Sequence, residues 1–499
     1  MATPARSNIT LIRGLTLIAA ASIVIGNVIG TGVFLKTRVM TCNVGTPGMV
    51  IVVWIAAGIL SLAGALTYAE LAAMMPRAGG EYVFVREAYG PTLGFLYGWM
   101  QVFIAKTGSQ ASVAVALAIF LNDLTGGTLN AVYFKTNLFG YEYQFGTLQV
   151  IALSAIAIVT LINCATVKVS GNIAAFLTVI KIALVLGVGC GAFLLARGGD
   201  WSHFAQSNAQ CPALPDIALW TVDCGRCYGV GAAARYGMAG FGAAMLGALW
   251  GYDGWNNLTL VAGEVKNPQR NIPLALIGGM FIIISLYVFV NIAYFYALDP
   301  TTIASITKES SVAREVAQTF LGPVAVSLIA AALLASSVGT LHTSILTGAR
   351  VPYAMSRDRL FFQNLAKLSP RTHVPIGALV LQGIWASILA LSGSFDTLTD
   401  YVIFGSWIFY GLVTASVFIF RRRMPDAERP YRAWGYPVVP VLFLLVTAWL
   451  LINTLLTTPV QALIGLGLIL LGLPVYYYWA HHNRVTYQGA PLDDEENQH

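Results

Sequence analysis

Charge is what this chain has least of. Asp, Glu, Lys and Arg make up 10% of its 499 residues, against roughly 25% in soluble domains. So little charge leaves too few polar groups to clothe a water-facing globule, and 57% of the residues are hydrophobic. Histidine and cysteine are scarce too, at six each. Cys224 and Cys227 stand at a spacing that redox or zinc sites use, but no histidine partner lies close, and the chain carries no phosphate-cradling nucleotide loop and no nucleophile–base–acid set. An enzyme reading therefore has no support, and no cofactor or metal is expected. The net charge of +6 is spread over many short loops, which removes the case for a nucleic-acid partner.

Long apolar runs are what the chain has instead. A bilayer core of about 30 Å takes about 20 helical residues. On that length, spans are expected near 14–37, 46–73, 92–121, 147–166, 171–196 and 237–262. Six more fall near 272–298, 321–350, 375–393, 397–420, 436–456 and 460–480. Twelve spans define an all-α, multi-pass membrane protein that meets the lipid bilayer directly. The first apolar run is too long for a signal h-region and lacks an A-x-A-like site, so it is expected to be a retained helix.

Basic residues set the orientation. Lys106 and Lys181 lie within spans; with the N-terminus inside, the other basic residues divide 18 to 8 in favour of the inner side. Both termini, 1–13 and 481–499, are thus expected in the cytoplasm of a cell membrane. Cys42, Cys211, Cys224 and Cys227 then fall outside, the last three in a long loop at 197–236. An oxidising exterior permits disulfides there, and one involving Cys211 is favoured over a reactive role, with connectivity left open.

Two spans are interrupted. Residues 25–34 read IGNVIGTGVF and residues 249–260 read LWGYDGWNNLTL. An exposed helix break in lipid leaves backbone groups unpaired at several kcal/mol each, so such breaks persist where protein, water or ligand satisfies them. Paired breaks in corresponding segments of two halves point to a transporter's substrate site. The first opens span 1 and the second span 6, which enters from the opposite side. The two halves, 14–196 and 237–420, therefore form a candidate 5+5 inverted repeat, with spans 11 and 12 at 436–480 outside it.

In span 1, Gly30, Thr31 and Gly32 would aim a half-helix N-terminus at a carboxylate, and carbonyls at Val28 and Ile29 would receive an ammonium group. Tight packing through small residues is the competing reading, and the matching second break weighs against it. In span 6, Trp250 and Gly251 precede Asp253 and Asn256. Trp250 is placed to close over a ligand. A carboxylate within the membrane is a functional candidate by default, and Asp253 divides evenly between substrate contact and tying down the broken helix. Asn256 has the same two readings.

Lys181 lies mid-span in FLTVIKIALVLG, too far from either end to snorkel. Its expected partners are the broken backbone of span 1 and the hydroxyls of Ser336 and Thr340, one turn apart in span 8. A fixed cation there would do the work of a sodium ion; the competing reading is a lysine exposed to a water-filled cavity. Lys106, in QVFIAKTGSQASVA, sits beside Thr107, Ser109 and Gln110 and would line the substrate path or pair with Asp253. His342 reads as a core histidine. The loop at 68–91 holds a short amphipathic segment over 81–88, read as a connector or as a cytoplasmic gate in which Glu81 and Arg86 pair with neighbouring loops.

The segments IGNVIGTGVF, YAELAAMMPRAGGEYVFVREAYG, YDGWNNLTLVAGEVKNPQRNIPLAL and PVYYYW resemble the amino acid–polyamine–organocation superfamily, and within it the L-type amino acid transporters. The resemblance runs from about residue 10 to 482. It implies a LeuT-type fold and sodium-independent exchange of α-amino acids by alternating access. By motif it places the carboxylate on Gly30, Thr31 and Gly32, the gating aromatic at Trp250 and the sodium-replacing lysine at Lys181. Thr107 stands where the family often has proline, which puts a kink there in doubt. The loop 122–146 has no cysteine, so no disulfide-linked heavy chain is expected. A proton-coupled symporter is the alternative, and a non-transporting amino-acid sensor is the alternative of a different class.

Overall fold

The computed structural model describes residues 10–138, 141–207, 237–306, 310–392, 395–457 and 459–482. The chain is mainly helical, and its polar groups point inward. The helix Val167–Leu195 illustrates the physics. Ser170, Ala174, Thr178, Lys181 and Val185 recur every three or four residues and are buried, whereas Phe176, Val179 and Leu194 are exposed. A helix with its polar stripe inside and its bulky apolar face outside has lipid as its solvent.

Eight helices among the described residues are long and apolar enough to cross a membrane, so this is a multi-pass membrane protein. The sequence predicts twelve spans. Four predicted spans are not among the eight: Thr147–Asn163 and Ile376–Ser392 have 17 residues each, the sixth is cut at Tyr252, and the tenth lies in Phe395–Arg423, a long helix that ends on three arginines.

In chain order the elements that frame the interior begin with α1 (Leu17–Val28), α2 (Gly32–Val44), α3 (Pro47–Met74), α4 (Glu81–Tyr89) and α5 (Pro91–Met100). A π-helical turn, Gln101–Ala105, joins α5 to α6 (Lys106–Leu124). Then come α7 (Thr147–Asn163), α8 (Val167–Leu195), α9 (Met238–Tyr252), α10 (Asn257–Leu260) and α11 (Pro268–Ala297). After them follow α12 (Pro300–Ser305), α13 (Val312–Leu321), α14 (Val324–Gly348), α15 (Arg350–Arg357), α16 (Ile376–Ser392) and α17 (Phe395–Arg423). The chain closes with α18 (Val438–Thr457), α19 (Pro459–Leu470) and α20 (Gly472–His482).

Local chemistry sets several boundaries. Thr16 caps α1 by accepting the Ala19 N–H at 3.3 Å, and Thr46 caps α3 ahead of Pro47 at its first position. Gly45, at φ 79°, ends α2 in the left-handed conformation that glycine adopts without strain. The segment 122–146, read from sequence as a plain loop, contains an antiparallel pair, β1 (Val132–Leu138) and β2 (Tyr141–Gly146). Its aromatic and β-branched content favours the extended form.

One end of the bundle is closed by backbone as well as by side chains. Leu15 donates its N–H to the Glu264 carbonyl at 2.9 Å and accepts from Lys266 N–H at 2.8 Å. Gly79 N–H donates to the Leu260 carbonyl at 2.9 Å. Arg350 makes a bidentate pair with Glu264 at 2.7 and 2.8 Å, and both side chains have 0% exposure. In α4, Arg86 pairs with Asp358, and Tyr82 donates to the same carboxylate at 2.7 Å. Arg86 also pairs with the neighbouring Glu87.

Cys42 is disulfide-bonded; Cys164 and Cys190 are free. Cys211, Cys224, Cys227 and most of the outer loop lie outside the described residues.

Candidate substrate site between two broken helices

The polypeptide leaves helical geometry in the two places where its sequence loses bulk. At the first break, Gly30 N–H turns back to the Val28 carbonyl at 2.7 Å, and helix resumes at Gly32. Thr31 stands at the N-cap without a side-chain capping bond, so the first N–H groups of α2 lack intrahelical acceptors. At the second break, α9 stops at Tyr252, Gly254 adopts φ 101°, and Asn257 N–H returns to the Gly254 carbonyl at 3.2 Å.

The breaks touch. A Cβ placed on Gly32 would stand 2.6 Å from Gly251 Cα, and one on Gly254 would stand 3.1 Å from Asn27 Cβ. Only hydrogen side chains permit that approach. Tyr287, from α11, aims its hydroxyl at both breaks, 2.8 Å from the Val28 carbonyl oxygen and 2.9 Å from that of Gly251.

Lys181 has an exposure of 1%. Its Nζ donates to the Gly26 carbonyl at 2.6 Å and to Thr340 Oγ1 at 2.7 Å. Gly339 makes room for it, because a Cβ there would stand 2.9 Å from Lys181 Cε. The structure thus brings Lys181, Thr340 and the backbone of span 1 together. Ser336 does not bond the lysine; it donates to the Ile29 carbonyl at 3.2 Å.

A cavity of about 40 Å³ lies beside the breaks, room for a few water-sized groups. Asn27, Asp253, Gly254 and Asn257 line it from the breaks, Thr340 and Ser344 from α14. Gln101, Lys106 and Ser109 face it from the third predicted span, Ser406 and Tyr410 from α17. Apart from Gly254 and Ala105 its lining residues are polar. Thr340 connects cavity and break, since its Oγ1 would lie 3.8 Å from a Cβ on Gly30.

The predicted site residues divide among these places. Asp253, Lys106 and Thr340 line the cavity, whereas Val28, Ile29, Gly30, Thr31, Gly32, Trp250, Gly251 and Asn256 do not. The Val28 carbonyl already accepts from Gly30 and Tyr287, which uses both of its lone pairs. Trp250 is half-buried. Asn256 has 1% exposure and donates to Glu81, so it fastens the unwound strand to the closed end. Asp253 accepts from Tyr410 at 2.7 Å, and Lys106 donates to Asn257 Oδ1 where sequence suggested Asp253.

His342 is satisfied on both sides, by Ser170 O at 3.0 Å and Asn163 at 3.1 Å. Thr107 donates to the Val102 carbonyl at 2.8 Å, and the helix widens into the π turn there without a proline.

Sequence reasoning missed Asn27, Gln101, Asn257, Ser344, Ser406, Tyr410 and Tyr287. Asn27 and Asn257 lie inside the two glycine-broken motifs and were findable as polar residues within membrane-length runs. Tyr410 and Tyr287 carry no such signal, because an aromatic in a span reads as packing.

The known proteins that this chain resembles agree with a transporter's architecture. A family model described as amino acid permease matches residues 15–476. The serine/threonine exchanger SteT of Bacillus subtilis is 30% identical over 463 residues, covering 92% of this chain and 95% of that protein. The human b(0,+)-type amino acid transporter 1 is 26% identical over 475 residues, covering 95% and 89%. The mouse large neutral amino acids transporter small subunit 2 is 28% identical over 478 residues, covering 95% and 82%. The family and these relatives are transporters, not enzymes, and this chain belongs to the amino acid permease family.

Proposed function

We propose that the protein exchanges neutral α-amino acids across the cell membrane, without sodium, by alternating access. The observation that carries this reading is the contact of two glycine-broken helices beside a polar cavity, with Lys181 held at the first break. The substrate's carboxylate lies against the N–H groups that open α2, where the helix dipole favours negative charge. Its ammonium faces the remaining lone pair of the Ile29 carbonyl, and its side chain enters the cavity. Lys181 supplies the cation that sodium provides elsewhere, and Trp250 covers the ligand from outside.

The architecture behind this reading is a LeuT-type fold of twelve spans. Two inverted five-span halves occupy 14–196 and 237–420, and two further spans occupy 436–480. Both termini are cytoplasmic, which makes the end closed by Arg350–Glu264 the inner gate. The relatives' printed names support amino acids as the cargo, and that of SteT supports exchange as the mode. No disulfide-linked heavy chain joins the protein, because the loop at 122–146 offers no cysteine.

The test is uptake of a labelled neutral amino acid into sodium-free proteoliposomes, either preloaded with unlabelled amino acid or empty. Uptake confined to preloaded vesicles is the expected result; equal uptake into empty vesicles, or no uptake until sodium is added to both, would overturn the reading.

One observation favours proton symport as a second reading. Glu81 has 0% exposure and joins the inner gate to the second break, through Asn256, and to Tyr97, whose hydroxyl donates at 3.0 Å. Burial pushes its carboxyl up to about 7, against the opposing pull of Asn256, Lys106 and Tyr97. A carboxyl whose pKa is raised in the closed state favours closure at low pH and loses that contribution as pH rises through about 7. The transport rate is therefore expected to change with an inflection near pH 7, and Glu81→Gln to flatten the profile. An unchanged profile in that variant would remove Glu81 as the titrating group.

A further inference from the structure

The cavity holds an unanswered acceptor. Gln101 has 2% exposure, and its Nε2 donates to Tyr97 Oη at 2.9 Å. Tyr97 spends its own hydrogen on Glu81, so Tyr97 can only accept from Gln101. That fixes the orientation of the amide, and Gln101 Oε1 is left without a hydrogen-bond partner in a residue that lines the cavity. A buried acceptor without a donor is costly and marks where a ligand donor belongs.

The helix is shaped for this. Lys106 N–H bonds the Gln101 carbonyl five residues back. In a regular α-helix, residues five apart point roughly 140° away from each other. The wider π turn lets Gln101 and Lys106 line one cavity, and π turns concentrate at functional sites. Lys106 donates to Asn257, which leaves further ammonium hydrogens of its three. Asp253 lines the same cavity, and its Oδ1 accepts from Tyr410.

On the exchanger reading above, we propose that this wall selects substrates whose side chain ends in a carboxamide, glutamine and asparagine. A carboxamide presents an acceptor to Lys106 and two donors to Gln101 Oε1 and the Asp253 carboxylate. A hydroxyl offers one donor and serves less well. An aliphatic side chain strips water from all three groups and returns nothing. A carboxylate has acceptors only and faces Asp253, and an ammonium faces Lys106. Sites built to hydrogen-bond a substrate group reject analogues that lack it more strongly than apolar pockets discriminate by size.

The experiment is uptake of radiolabelled L-glutamine into proteoliposomes preloaded with unlabelled glutamine. Asparagine, serine, leucine, glutamate and lysine are added outside as competitors. Asparagine is expected to match glutamine, serine to be weaker, and leucine, glutamate and lysine to need at least about tenfold higher concentrations. In Gln101→Met the glutamine-to-leucine selectivity is expected to fall about tenfold. That ratio is measured on one preparation and does not depend on how much protein inserts. Leucine competing as well as glutamine in the unaltered protein, or an unchanged ratio in Gln101→Met, would overturn the assignment while exchange itself stands. No uptake of glutamine here, together with no uptake of other labelled neutral amino acids into vesicles preloaded with the same amino acid, would instead remove the exchanger reading.

Discussion

Lys181→Ala is expected to abolish exchange while the protein still inserts and purifies as a folded species. The ammonium is buried and makes two short bonds, to the Gly26 carbonyl and to Thr340 Oγ1. Hydrogen bonds to a charged group each contribute about 1.5–3 kcal/mol. Losing two corresponds to roughly a hundredfold or more in the stability of the arrangement at the first break. The surrounding helix backbone keeps its own ladder, and for that reason the damage falls on transport more than on insertion. The same residue ties α8 to α14 at the cavity's edge, because Thr340 lines the cavity. Initial rates of counterflow per mass of reconstituted protein, with gel filtration as the folding control, measure the effect. A monodisperse Lys181→Ala protein that exchanges at the unaltered rate would mean that the lysine merely fills space.

Arg350→Ala carries the second large expected effect. The Arg350–Glu264 pair is bidentate and fully buried, and Arg350 also donates to the Leu346 carbonyl. Removing one partner leaves an uncompensated buried carboxylate, at about 3–5 kcal/mol. Glu264 sits where the backbone of Leu15 bridges to the end of the second broken helix, so the loss loosens both broken helices at the closed end. A lower thermal midpoint is expected together with slower exchange. The double variant Arg350→Met with Glu264→Leu is expected to regain much of the stability, since an apolar pair of similar volume has no charge to desolvate. It is not expected to regain exchange, because a gate must open as well as close. An Arg350→Ala protein with the midpoint and exchange rate of the unaltered one would show that the pair contributes nothing to closure.

The membrane class was legible from composition, and the positions of some helices, though not their number as spans, were legible to within a few residues. The predicted 321–350 is found as Val324–Gly348, and 375–393 as Ile376–Ser392. Both breaks were legible for a physical reason: glycine with polar residues inside an apolar run conflicts with an unbroken lipid-exposed helix. The partner of Lys181 was legible because a mid-span ammonium has few places to go.

The cavity was not legible. The substrate contacts read from the two motifs centre on residues 28–32 and 250–256, yet the wall is completed by Gln101, Ser344, Ser406 and Tyr410. Those residues come from three other helices, and no local pattern distinguishes a polar side chain that faces a cavity from one that bonds its own backbone. Ser416 and Thr454, both bonded to carbonyls of their own helices at 2.6 and 2.8 Å, are of the second kind.

The sequence by itself determined what must be inside and where the helices must fail, because both follow from the cost of exposing polar groups to lipid, residue by residue. Tertiary structure decided which of those groups meet. The pairing of Glu81 with Asn256, of Arg350 with Glu264 and of Gly32 with Gly251 joins residues far apart in the chain. Hydrogen-bond geometry and close packing act only on atoms already brought together, and the order of residues along one chain does not state that juxtaposition.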